Sequence, residues 1–527
     1  MVWTATGASP PMRTRPTRSS PSVIMRVGRL WLMMLHCRRS QWSGLGPIQS
    51  GSGILSSSNK EESPMDTQKH VPLLVPRLGL MMFLQYAVWG IWLPYIATYL
   101  SSKAVVGGLG FNGDQIGWIL GVGAASGALV SPFIAGWLAD RLLNAEIALG
   151  ILLLIGGVIN ILLHYTTTYE AFLFLAIGYS ICYMPTIALT NSICFANLSN
   201  SELQFPAIRT LGTIGWIVAS TAFPLFWLQE DISMTWKPWF FVGEEKASAI
   251  NLMGDSLFVS GIISIIYAFY AVLFLPRTPP KKGAANPFAF LEAFWLLRYR
   301  GVLVLTIAAL LIAMIHNIYF MRTSLFLEAI GFPKANIGAM MSIGQIVEIL
   351  VLIVLGFFLK SLGYKLVIVL GCLAYAIRFA LFGVAGETAP MLAYLGIAMH
   401  GFCFSFFFAA AFLYIDRIAP KDARHSAQTA FGIVILGIGP ILSGFFNGWL
   451  DKVGGVESMP SPEGEGWADG AAEAWSGILA RGGVSFPDSV FSYGSLWWSL
   501  SIVGFIAFVL MLFAFKDDFK TADTDQI

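Results

Sequence analysis

Glu348 stands near the middle of a 23-residue stretch, Ile337 to Leu359, that carries no other charge. As a helix rising about 1.5 Å per residue, that stretch is long enough to cross a bilayer. An acidic side chain at the centre of a membrane helix costs roughly 2.5–3.5 kcal/mol, so it must face protein or water, not lipid. Gln345 lies three residues earlier, on the same helical face. An ionised carboxylate only accepts hydrogen bonds, whereas an amide both donates and accepts. A carboxyl taken out of water can also exchange a proton near working pH. The pair therefore marks a polar site inside a membrane protein.

The rest of the chain must build the membrane frame around that pair. Hydrophobic residues make up 56% and charged residues 12% of the 527 positions, and the mean hydropathy is +0.70. A soluble domain carries about 25% charged residues. The net charge of +2 argues against a nucleic-acid partner, which would need a clustered basic face. Cys37, Cys182, Cys194, Cys372 and Cys403 show no C-x-x-C spacing, so neither a disulfide nor a metal site is expected. No P-loop, zinc spacing or nucleophile elbow stands in a suitable context, and no cofactor is expected.

Twelve apolar segments are expected to span the membrane. The first six cover 73–100, 115–139, 145–165, 169–197, 205–229 and 250–275. The second six cover 301–328, 335–360, 364–385, 389–416, 424–450 and 490–515. This predicts an all-α integral membrane protein with a first half over 71–275, a linker over 276–300 and a second half over 301–516. The linker holds Arg277, Lys281, Lys282, Arg298 and Arg300, and its proline-rich start stops a helix. With both termini inside, Arg77, Arg141, the five linker cations, Lys360, Lys365, Arg417, Lys421, Arg424, Lys516 and Lys520 fall in inside loops. Outside loops hold Lys103, Lys237, Lys246, Lys334, Lys452 and Arg481. Lysine and arginine favour the cytoplasmic side, which makes the linker and the 517–527 tail cytoplasmic. Residues 1–70 do not fit the plan and are expected to be disordered or a gene-model extension ahead of a start at Met65. The 451–488 stretch is expected to be a long extracytoplasmic loop.

At the end of the second segment, Gly136, Asp140 and Arg141 follow the order G-x-x-x-D-R. A glycine there permits close helix contact, and an acid–base pair can latch one helix to a neighbour. The sequence resembles the major facilitator superfamily in this motif. The strings LQYAVWGIWL (84–93), YMPTIALTNSI (183–193), FPAIRTLGTIGWI (205–217), MSIGQIVEIL (341–350), RFALFG (378–383) and RHSAQTAF (424–431) are similar to its bacterial nucleoside/proton symporters. The resemblance runs in order from about residue 78 to 515.

It implies two pseudo-symmetric six-helix halves with a central nucleoside site between them, and alternating access driven by protons. At matching positions it implies Arg209 and Thr213 on the fifth segment, with Gln345 and Glu348 on the eighth, as substrate contacts. Trp216 replaces a family aromatic that stacks on a base; packing in the core or against lipid is its structural alternative. His316, Asn317 and Tyr319 stand where the family places substrate-contacting side chains on the seventh segment. In the tenth, Phe404 matches the family aromatic, while His400 takes a tyrosine position and Ser405 an aspartate position. Glu348, His316 and His400 are the candidate proton-coupling groups, with Arg378 a possible structural partner for Glu348. Asp140 and Arg141 are the candidate gate. The resemblance further implies a nucleoside importer in the bacterial inner membrane, a monomer and not an enzyme. A sugar or other polyhydroxylated solute would suit the same polar set and is the alternative substrate.

Overall fold

A computed structural model describes residues 73–137, 143–235, 240–241, 243–280, 291, 293–385, 389, 391–420, 423–454 and 491–517. The expectations for residues 1–70, for most of the 451–488 loop, for the middle of the linker and for Asp140 and Arg141 fall outside them. The described chain is almost entirely helical. Its membrane-length helices are span 1 (Leu74–Ser101), span 2 (Gly113–Ile134), span 3 (Ala145–His164), span 4 (Tyr169–Asn197), span 5 (Gln204–Trp227) and span 6 (Ala249–Phe274). They continue with span 7 (Arg300–Ala329), a 51-residue run (Lys334–Val384), span 10 (Met391–Ile418), span 11 (Ser426–Leu450) and span 12 (Leu496–Ala514).

Among the described residues, eleven membrane-length runs thus stand where twelve segments were expected. The difference lies at Gly363, whose φ of 77° and ψ of 166° break the helix inside the long run. Both ends of that run return to the same side of the bundle. Gly338 packs on Tyr95 and Ser220, and Gly383 packs on Trp498 at the start of span 12. Lys365, just past the break, donates from Nζ to the Phe515 carbonyl at the opposite end, 2.9 Å away. The run is therefore two antiparallel spans, 8 and 9, joined at a left-handed glycine that carries no side-chain penalty.

Local chemistry sets other boundaries. Asn112 Oδ1 accepts from the Gln115 amide at 2.9 Å while Gln115 Oε1 accepts from the Asn112 amide at 3.0 Å, a reciprocal cap that starts span 2. Span 1 breaks between Gly90 and Leu93, just ahead of Pro94. Within the first half, Gln85 donates to Thr186 Oγ1 at 2.7 Å and Asn160 to Ser260 Oγ at 3.1 Å. Such interhelical bonds contribute about 0.6–2 kcal/mol each. Large apolar side chains such as Phe174, Ile353, Phe357 and Phe513 are exposed on the outside of the bundle, as lipid contact requires. Between spans 5 and 6, a two-residue hairpin pairs Met234–Thr235 with Phe240–Phe241. Ser233 Oγ and the Glu244 amide both donate to Asp231 near this hairpin, holding its carboxyl below the usual range.

The end of the bundle bearing Leu74, Phe274 and Arg300 is termed here the linker end. The two halves meet tightly at the opposite, far end. There Gly117 and Gly121 of span 2 lie against Gly444 of span 11, and Gly338 of span 8 lies against Ser220 of span 5. Asn447 of span 11 donates to the Gly113 carbonyl at 3.0 Å and accepts from Arg322 Nε of span 7 at 2.6 Å. Glu245, past the hairpin, accepts from the Ala335 amide of the other half at 2.9 Å. At the linker end of the first half, Leu78, Met81, Leu149, Ile193, Tyr267 and Leu275 belong to a separate apolar cluster that includes no residue of the second half. This packing belongs to a conformer sealed at the far end.

Small residues carry that seal. A β-carbon on Gly444 would fall 2.5 Å from the Gly117 carbonyl oxygen, so Gly444→Val is expected to pry the seam apart. In a cysteine-free background, a thiol placed at Leu120 should then react faster with a polar maleimide than with Gly444 intact. Equal rates would show that the seam does not depend on this contact.

Candidate functional site

Spans 7, 8, 9 and 10 bring the polar residues of the second half together. Span 10 lies backbone to backbone on span 8. A β-carbon on Gly401 would collide with the Glu348 amide nitrogen, and one on Gly344 would fall 2.9 Å from His400 Cβ. This approach sets Glu348 Oε2 3.8 Å from His400 Nε2, in a pair whose side chains are 12% and 3% exposed. Gln345 Nε2 donates to the same His400 nitrogen at 3.2 Å, which makes that nitrogen an acceptor. The Glu348–His400 contact becomes an ion pair only when the imidazole is protonated. One proton can therefore neutralise the carboxylate or charge the ring.

Aromatic rings enclose the cluster. The His316 and His400 rings stack with centroids 5.4 Å apart and planes at 26°, and Tyr319 lies 5.5 Å from His400. Phe408 and Phe404 face His316 at 5.1 and 6.5 Å. Span 10 takes a π-helical turn from Phe404 to Ala409. Such a turn inserts an extra residue into the helix and is common at functional sites. Ser405 Oγ bonds the Glu348 carbonyl at 3.5 Å, so this residue braces the backbone of span 8.

From the first half, Arg209 is half-buried, with its guanidinium 4.2 Å from the centre of the Tyr86 ring on span 1. Thr213, half-buried one turn along, shares its face. Trp216 is buried, with Cδ1 close to Gly90 at the break in span 1. Its indole therefore rests on the other helix of its own half.

Two expectations change in the structure. Arg378 makes no ion pair with Glu348. Its Nε donates to the Gly396 carbonyl at 3.1 Å and its guanidinium sits 3.7 Å from the centre of the Tyr319 ring. Asn317 is engaged at the seam, donating to Ser443 Oγ of span 11 at 2.7 Å and reaching the Leu120 carbonyl of span 2 at 3.5 Å. Sequence reasoning passed over Tyr375, Arg322, Ser443 and Asn447. Tyr375 and Arg322 had a signal, a polar side chain deep in an apolar segment. Ser443 and Asn447 resembled ordinary packing residues, and only their partners reveal them.

A two-half helical bundle, sealed at one end and holding an acid, an amide and two imidazoles between its helices, is the build of a solute carrier of the major facilitator type. Residues 74–519 match the family described as nucleoside H+ symporter, and the chain belongs to that family. It is therefore a multi-pass membrane transporter of nucleosides coupled to protons, and not an enzyme. The putative nucleoside transporter YegT of Escherichia coli K12 is 33% identical over 417 residues, covering 77% of this chain and 90% of YegT. The nucleoside permease NupG of the same organism is 29% identical over 393 residues, covering 71% of this chain and 86% of NupG. The crystal structure of NupG superposes with a TM-score of 0.67 at 23% identity, over 84% of this chain and 99% of NupG.

The packing of spans 8 and 10 sets up the cluster, so Gly401→Val should lower the unfolding temperature measured in detergent. Overpacking of this kind costs about 1–3 kcal/mol. Gly432→Ala, where a β-carbon meets open space, should leave that temperature unchanged or slightly raised.

Proposed function

We propose that this protein imports nucleosides across the bacterial inner membrane, with its linker end and both termini in the cytoplasm. The observation that carries the site assignment is the Gln345–Glu348–His400 cluster in the second half; in this reading Arg209 of the first half joins it. Ribose hydroxyls suit this set, because Gln345 donates and accepts, Arg209 donates and Glu348 accepts when ionised. Thr213, Tyr319 and His316 add further polar edges and Phe404 supplies aromatic surface for a base, while Trp216, packed on Gly90, would reach a base only if span 1 shifts. Asn317 becomes available to the substrate when the seam to Ser443 opens.

In this reading Glu348, His400 and His316 manage the proton. Substrate and proton enter from the far end, and the halves then rock until that end closes as described above. Loss of the proton to the cytoplasm restores the Glu348 charge and favours release. Asp140 and Arg141 serve as a gate on the linker side, and the protein acts as a monomer.

Uridine uptake into proteoliposomes should rise when an inward proton gradient is applied. Glu348→Gln keeps the side-chain shape but removes the exchangeable proton, so gradient-driven uptake should fall at least about tenfold and lose its pH dependence. Unchanged pH dependence and affinity in this variant would sink the assignment. Absence of uridine uptake by the folded parent would sink the nucleoside reading itself.

A further inference from the structure

Span 9 lies behind the cluster, and two of its residues touch the span 7 side chains just placed in the substrate site. Tyr375 and Arg378, three residues apart, share one face of span 9; His316 and Tyr319, also three apart, share one face of span 7. The two pairs meet in register. The Tyr375 hydroxyl lies 2.7 Å from His316 Nδ1, and the Arg378 guanidinium sits 3.7 Å from the centre of the Tyr319 ring. Tyr375 and Arg378 are both fully buried, while His316 is only half-buried.

A neutral imidazole carries one donor and one acceptor, and its partners decide which nitrogen is which. Among the described residues no carboxylate pairs with His316, and aromatic rings surround it, so the neutral form is the one that suits the site. The Tyr375 phenol proton has one acceptor in reach among the described residues, His316 Nδ1. Were Nδ1 protonated, that phenol proton would be buried with no acceptor. The two groups are both satisfied when Tyr375 donates and His316 holds its proton on Nε2. No described hydrogen bond uses Nε2.

We propose that Tyr375 is a positioning residue that fixes His316 as the Nε2–H tautomer, so that His316 offers a donor to an acceptor on the substrate, a carbonyl oxygen or ring nitrogen of the base. This rests on the nucleoside reading of the site. Arg378 does the companion task for the Tyr319 ring. Because Tyr375 works through His316, removing its hydroxyl leaves every proposed substrate contact in place but frees the imidazole to change tautomer.

The test is 15N NMR of histidine-labelled protein in detergent, with the His316 signals identified by subtraction of a His316→Gln spectrum, alongside uridine binding by calorimetry. The parent should show the Nε2–H signature at His316. Tyr375→Phe should show a mixture or the other tautomer and bind uridine about two- to tenfold more weakly, the range one hydrogen bond is worth. An Nδ1–H signature in the parent overturns the proposal without need of any variant. So does a Tyr375→Phe spectrum and affinity matching the parent. If the parent binds no nucleoside, the substrate reading falls, and the tautomer measurement still decides whether Tyr375 sets the state of His316.

Discussion

The close approach of spans 8 and 10 is the contact on which the site depends. Glycines at 344 and 401 remove the side chains that would hold these helices apart, and Glu348 then reaches His400 across the shortened gap. In lipid there is no hydrophobic drive between helices, so such packing rests on van der Waals contact and interhelical hydrogen bonds. The same device recurs at the far end, where Gly117 and Gly121 meet Gly444 between the halves. One contact lies within a half and stays fixed as the halves rock. The other lies between halves and must part.

Span 7 belongs to both. His316 and Tyr319 turn towards the imidazole and aromatic cluster, whereas Asn317 and Arg322 bond span 11 at the seam. A rotation or bend of this one helix moves the two sets together. On the proposed reading this offers a physical route by which occupancy at the cluster biases the seal, since an equilibrium shifts only as far as the differential contacts of its two states allow. The hairpin region adds a second tie, through Glu245 and the Ala335 amide.

The serine at position 405 gives this chain its own character. It replaces the aspartate that the family resemblance leads one to expect, and its hydroxyl bonds backbone in place of carrying a charge. On the proposed reading, proton handling then falls to the Glu348–His400–His316 group. Glu348 and His400 lie 3.8 Å apart, so one proton can rest on either of them, and in a low-dielectric interior its charge is strongly felt.

The spans and the two-half plan were legible in the chain itself. Apolar length is imposed by the bilayer on each segment separately, so Leu74–Ser101 or Ala145–His164 can be recognised without its neighbours. The family too was readable, because its motifs are local strings. The cost of a buried carboxylate likewise marked Glu348 before any fold was known. Tertiary structure alone decided the partners. Arg378 suggested a counter-ion for Glu348 and instead sits on Tyr319; Asn317 suggested a substrate contact and instead bonds Ser443. Tyr375 gained its place only when span 9 folded back at Gly363 and lined up with span 7. Partner choice depends on helix rotation and register between segments distant in sequence, and apolar periodicity, which varies little around a lipid-embedded helix, does not encode that rotation.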